Sequence, residues 1–134
     1  MTKPKINNIN MAMTYNILVK PGVVFKEINE HTNEFFYVLK NCCNKFQRNY
    51  TITSANDGKH SAPSYHYKNL GWDVRANDCS NKHRQELLAE LKANLPVYFD
   101  IVLETFELDP WNNHFHIECD LKKLADFILA NGSV

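Results

Sequence analysis

The sequence predicts an α+β fold: a single domain with a mostly antiparallel four-stranded sheet, a long N-terminal helix and two further helices packed on it. Three observations predict it. Apolar residues recur at a helical period over residues 24–46, and again over residues 87–95. Four short segments rich in β-branched and aromatic residues complete the pattern. Strands joined by short loops favour antiparallel pairing with helices laid on the sheet.

The elements follow in order. Residues 1–22 read as an N-terminal arm with one short extended piece at 15–19, closed by the turn signal Pro21-Gly22. The domain proper then spans residues 23–134. In its first helix Ile28, Phe35, Leu39, Cys42 and Phe46 share one face. Residues 50–53 form a strand, and the polar stretch 54–64 a loop. Residues 70–74 form a second strand. Asp78, Cys79 and Ser80 offer helix caps. Leu87, Leu88, Leu91 and Leu95 stripe the second helix, which Pro96 ends. Residues 98–103 and 114–119 supply two more strands. The last helix, 121–130, turns Leu124, Phe127 and Ile128 inward, with Gly132 beyond it.

Composition narrows the function. Lys and Arg total 15, as do Asp and Glu, so the formal net charge is zero. A dedicated nucleic-acid binder shows a basic excess, and this chain does not. Cys42, Cys43, Cys79 and Cys119 include no Cys-x-x-Cys pair, which argues against a cysteine zinc knuckle and for buried free thiols in a reducing compartment. The polar N-terminal stretch is no signal peptide, and no apolar run is long enough for membrane insertion.

Six histidines are present, and two of them form His114-x-His116 on a strand. Alternation puts both on one face. His66 ends a loop seven residues before Asp73, which lies inside the next strand. Two imidazoles and one carboxylate are a usual catalytic zinc set.

The ordered pieces Ile52-Thr53-Ser54, Asp57-Gly58-Lys59-His60, Ser64-x-His66, Gly71-x-Asp73 and His114-x-His116 resemble the zinc D-Ala-D-Ala carboxypeptidase and L-alanyl-D-glutamate endopeptidase family, in its phage-type subset. The resemblance covers about residues 50 to 119. It implies Zn²⁺ held by His66, Asp73 and His116, with the fourth position open to water. It places His114 beside the metal, to hydrogen-bond the substrate or the tetrahedral intermediate, and has Ser64 support the loop or His66. Lys59 and Arg75 become candidates to hold a substrate carboxylate or the oxyanion. The implied function is cleavage of peptidoglycan stem peptides in cell-wall lysis or remodelling, as by an endolysin. Such a protein is made in the bacterial host cytoplasm and reaches the wall with help from a separate membrane-permeabilising protein.

Three positions depart from the family pattern. Asn69 stands where a glycine is usual, and asparagine is the next best residue at unusual backbone angles. Gly71 replaces an alanine. Asn113 replaces the acid that serves as general base, and an amide cannot shuttle a proton. The segment 104–113 carries Glu104, Glu107 and Asp109, from which Asp109 first and Glu107 second are expected to supply the missing acid. The alternative is a zinc-binding, catalytically impaired protein that binds wall peptides.

Overall fold

The computed structural model describes residues 14–57 and 64–132. Among them are five strands and three helices: β1 (Ile17–Val19), α1 (Glu30–Phe46), β2 (Tyr50–Ser54), β3 (Gly71–Arg75), α2 (Asn81–Asn94), β4 (Phe99–Glu104), β5 (His114–Cys119) and α3 (Leu121–Asn131). A 3-10 turn at Pro110–Asn112 lies in the β4–β5 link. The α+β class expected from the sequence is present. The sheet, however, has five strands in the order β1-β2-β3-β5-β4 and is mixed.

The fifth strand is the short extended piece near the start of the chain. Ile17, Leu18 and Val19 pair in parallel with Tyr50, Thr51 and Ile52. Side-chain contacts hold it there: the Asn16 amide donates to Asn49 Oδ1 at 2.8 Å, and Lys40 Nζ donates to Asn16 Oδ1 at 2.9 Å. Every other pairing in the sheet is antiparallel.

The first helix begins at Glu30, later than its apolar stripe suggests. Asn29 caps it, accepting from the His31 and Thr32 amides, and Thr32 Oγ1 accepts from the Asn29 amide in return. Ahead of this cap, residues 24–28 are held out of the helix by contacts from far along the chain. The Val24 amide donates to Asp57 Oδ1 and the Lys26 amide to Asn56 Oδ1.

The core lies on one face of the sheet. Ile52, Trp72, Val74, Phe115, Ile117 and Cys119 point into it, and Phe35, Leu39, Leu87 and Leu91 come down from α1 and α2. Phe35 stacks on Trp72 with ring centroids 4.9 Å apart, a contact worth about 1 kcal/mol beyond simple burial. Leu124 and Phe127 of α3 pack against this core, but Ile128, expected inward, is exposed. All four cysteines are buried free thiols. Burial pushes Cys42 up to about 12 and Cys79 to about 11, which leaves both thiols unreactive. No helix among the described residues is long and apolar enough to cross a membrane.

Candidate metal centre

Strand alternation turns the sheet's other face into a polar surface. Trp72 and Val74 enter the core, so Asp73 and Arg75 face away from it. Phe115, Ile117 and Cys119 do the same on β5, which leaves His114, His116 and Glu118 on the open side. The β3–β5 register sets Asp73 opposite His116 and Arg75 opposite His114. The β4–β5 register sets Glu104 opposite His114 and Asp100 opposite Glu118. Side chains directly opposite on one face are neighbours, so the register alone brings Asp73 and His116 together.

His66 arrives from the loop before β3. Tight turns shape that loop: the Tyr67 amide donates to the Ser64 carbonyl, and the Lys68 and Leu70 amides to the Tyr65 carbonyl. Ser64 Oγ accepts from the His66 amide at 3.2 Å. Asn69 has φ +60°, the left-handed conformation that the glycine-like position called for. Gly71 is needed for a different reason, which is space. A Cβ there would lie 2.8 Å from the His66 nitrogen and 2.9 Å from the Tyr65 carbonyl carbon. Asn56 fastens the loop from the other side, its Nδ2 donating to the His66 carbonyl at 2.5 Å.

His66, Asp73 and His116 each offer a donor atom, all within 4.8 Å of one another. Asp73 Oδ1 lies 3.4 Å from His66 Nε2 and 3.0 Å from His116 Nδ1. Ligand atoms around an ion with metal–ligand bonds of about 2.0–2.1 Å in a tetrahedral site are about 3.3 Å apart, so these spacings suit one. The outer nitrogens make the stronger case. His66 Nδ1 donates to the Ala55 carbonyl at 2.8 Å, which in the neutral ring leaves the lone pair on Nε2, facing Asp73. His116 Nε2 lies 2.7 Å from Glu118 Oε1, which leaves Nδ1 to face the centre. Metal-binding histidines are normally oriented in this way, by an acceptor on the far nitrogen. The residues therefore fit a metal ion.

The electrostatics agree. Burial alone would raise the Asp73 carboxyl. Hydrogen bonds from His116 and His66, and the nearby rings of His66 and His114, outweigh that and hold it well below the usual carboxylate range. The hydrogen bond to Asp73 raises His116 to about 9 against the opposing effect of its burial, with Glu118 adding to the rise. The centre thus draws positive charge onto His116, and a cation can take the place of its proton. Replacing Glu118 by Gln should lower metal affinity about 10- to 100-fold, measured by competition with a chromophoric chelator. An unchanged affinity would show that Glu118 does not orient His116.

The remaining sequence candidates are distributed around this centre. His114 has its Nδ1 2.7 Å from the Asn112 carbonyl and its Nε2 2.8 Å from Glu104 Oε1, and it lies 3.9 Å from Asp73 Oδ2. Asn113 is buried, and its Oδ1 accepts from the Phe106 amide at 2.7 Å, closing the β4–β5 link. Glu107 is exposed, and Asp109 starts the 3-10 turn. Among the described residues, neither bonds to His66, Asp73 or His116. Two other acids lie next to the centre: Glu118, on His116, and Glu104, through His114. Arg75 borders a neighbouring cleft. Lys59 lies outside the described residues.

Among the acids at the site, Glu104 is one of the three carried by segment 104–113 but not the one expected, and Glu118 was not anticipated. Glu118 continues the alternation of His114 and His116, so its place on the same face could have been read from the spacing. Glu104 required the β4–β5 register. A second group, Asp100, Glu118 and Asp120, also lies close enough for a metal. All three are already engaged, Asp100 with Lys123, Asp120 as the cap of α3 and Glu118 with His116.

No family model matches the chain, and no match is found among curated proteins or solved structures.

Proposed function

We propose that this chain is a zinc-dependent peptidase that cleaves the stem peptides of peptidoglycan. One observation carries the reading: two imidazoles and a carboxylate converge on the open face, each imidazole with its outer nitrogen already turned to an acceptor. Two nitrogens and one oxygen are a ligand set of hydrolytic zinc sites, which keep a position open for chemistry. The choice of wall peptides as substrate is supported by the motif resemblance over about residues 50 to 119.

Zinc held by His66, Asp73 and His116 would supply Lewis acidity to a peptide carbonyl and acidify an attacking water. The protein's own residues do the rest. Nearly complete burial of His66 keeps bulk water from its side of the centre. His114 Nδ1 lies 2.7 Å from the Asn112 carbonyl and its Nε2 2.8 Å from Glu104 Oε1, so the two side chains are linked for proton transfer. Glu104 is half-exposed and within reach of a substrate on the open face. It accepts the proton that water loses as its oxygen bonds to the carbonyl carbon. It returns that proton, directly or through His114 Nε2, to the amine that leaves as the C–N bond breaks. Glu104 thereby takes the role that the resemblance assigns to position 113.

The test is release of new amino groups from purified murein by the zinc-loaded protein. Glu104→Gln should lose about 10²- to 10⁴-fold in rate with its zinc content unchanged. Wild type that binds zinc and releases nothing would defeat the peptidase reading. A fully active Glu104→Gln would defeat only the proton assignment. Asn113 favours one other reading, a zinc protein that binds wall peptides without cutting them, because its amide is tied to Phe106 and moves no proton. Retained binding of wall peptides by an inactive wild type would be the mark of that reading.

A further inference from the structure

His66 is buried, while Asp73 and His116 are only partly so. It is held from behind by the chain leaving β2. Its ring meets the Ala55 carbonyl through Nδ1 at 2.8 Å, and its backbone carbonyl accepts from Asn56 Nδ2 at 2.5 Å. Two consecutive residues therefore grip this ligand, one by its side chain and one by its backbone. The same stretch is gripped in turn by residues 24–26, which cross it as a strap ahead of α1. The Asn56 amide donates to the Val24 carbonyl at 2.7 Å, and Asn56 Oδ1 accepts from the Lys26 amide at 2.8 Å. Asp57 Oδ1 accepts from the amides of both Val24 and Ala55, at 3.1 and 2.9 Å.

Asn56 is the member common to both grips. Only 9% of its surface is exposed. The Lys26 amide can donate only to an oxygen, and the His66 carbonyl can accept only from an N–H. The two bonds therefore agree on which end of the side chain is which, and turning the amide over would break both at once. A buried polar group that loses its partner is costly. The strap and the His66 loop are thus more stable seated together than either is alone.

We infer that Asn56 is a positioning residue for the metal centre and couples the strap at residues 24–26 to His66. Among the described residues it bonds to none of the three metal-facing donor atoms and acts only through the His66 backbone. The inference rests on reading His66, Asp73 and His116 as a metal centre, and needs no particular substrate. Seating of the strap sets the place of His66, and so raises metal affinity. Coupling between two sites is reciprocal, so a bound metal must tighten the strap by the same factor. The ion and the segment ahead of α1 are thereby linked through one side chain.

The test is native-state hydrogen exchange of the full chain, read by NMR without zinc and at saturating zinc. In the wild type the Lys26 amide should exchange about tenfold more slowly with zinc bound. Asn56→Asp keeps an acceptor for the Lys26 amide and removes the donor to His66, so it cuts the link and leaves the strap. In that variant zinc affinity should fall about tenfold, and saturating zinc should no longer slow the Lys26 amide. Lys26→Pro deletes a strap bond and no bond to His66, and it should weaken zinc binding as well. It carries the test if Asn56→Asp does not fold. No slowing in the wild type, equal slowing in wild type and Asn56→Asp, or wild-type zinc affinity in Lys26→Pro would each overturn the coupling. Those results leave the metal centre standing. A wild type that binds no zinc would remove the centre, and the coupling with it.

Discussion

His66→Ala should lose zinc. A four-ligand structural zinc site holds its metal with about 10–16 kcal/mol, or roughly 3 kcal/mol per ligand. Losing one of the three protein ligands should therefore weaken binding by roughly two orders of magnitude or more. Elemental analysis after dialysis reads the result directly. Equal zinc in wild type and variant would remove the site. The wild-type affinity should also depend on pH with a definite sign. Asp73 and Glu118 keep a proton on His116 up to about pH 9, and zinc must displace it. Apparent affinity should therefore rise about tenfold per pH unit from neutrality and level off above about 9. A flat profile would mean that His116 is not a ligand.

Gly71→Ala should be damaging, although it adds only a methyl group. The added methyl has no room, because the nearest atoms, at 2.8 and 2.9 Å, are backbone atoms of His66 and Tyr65. They cannot swing aside as the tip of a flexible side chain would. Overpacking of this kind costs about 1–3 kcal/mol, or roughly 5–10 °C in Tm for a domain of this size. Relief by shifting the loop moves His66, so zinc affinity should fall by about tenfold as well. A variant with wild-type Tm and wild-type zinc affinity would show that the loop does not rest on β3 as described. Thermal unfolding with and without zinc separates the two effects.

The elements legible in the sequence were those set by local pattern. The apolar stripe of α1 from Phe35 to Phe46 and the alternation of β5 fold as read, although the helix is shorter than expected, and Asn69 takes a left-handed conformation. What escaped was set by contacts distant in the chain. The stripe runs on to Ile28, but bonds from Asn56 and Asp57, some thirty residues away, tie residues 24–26 down ahead of the Asn29 cap. The extended piece at residues 15–19 was legible, but its place in the sheet was not, because its partner β2 is more than thirty residues on. The candidate site shows the same division. The geometry brings His66, Asp73 and His116 together, as their spacing suggested. The role of Asn113 depends on the Phe106 amide, which no motif could have announced. Gly71, which looked like a mild replacement for alanine, is held by a neighbour that only the folded loop supplies.

The alternation of β3 and β5 has one more consequence. Asp73 sits between Trp72 and Val74, and His116 between Phe115 and Ile117, all four of them fully buried or nearly so. The hydrophobic core is thus the jig on which the donor atoms are clamped, one residue away on the reverse side of the same strands. Spacing errors of a few tenths of an ångström matter to an ion and hardly at all to a core that can repack. Selection on the fit of these apolar side chains is therefore, in part, selection on chemistry that happens across the sheet.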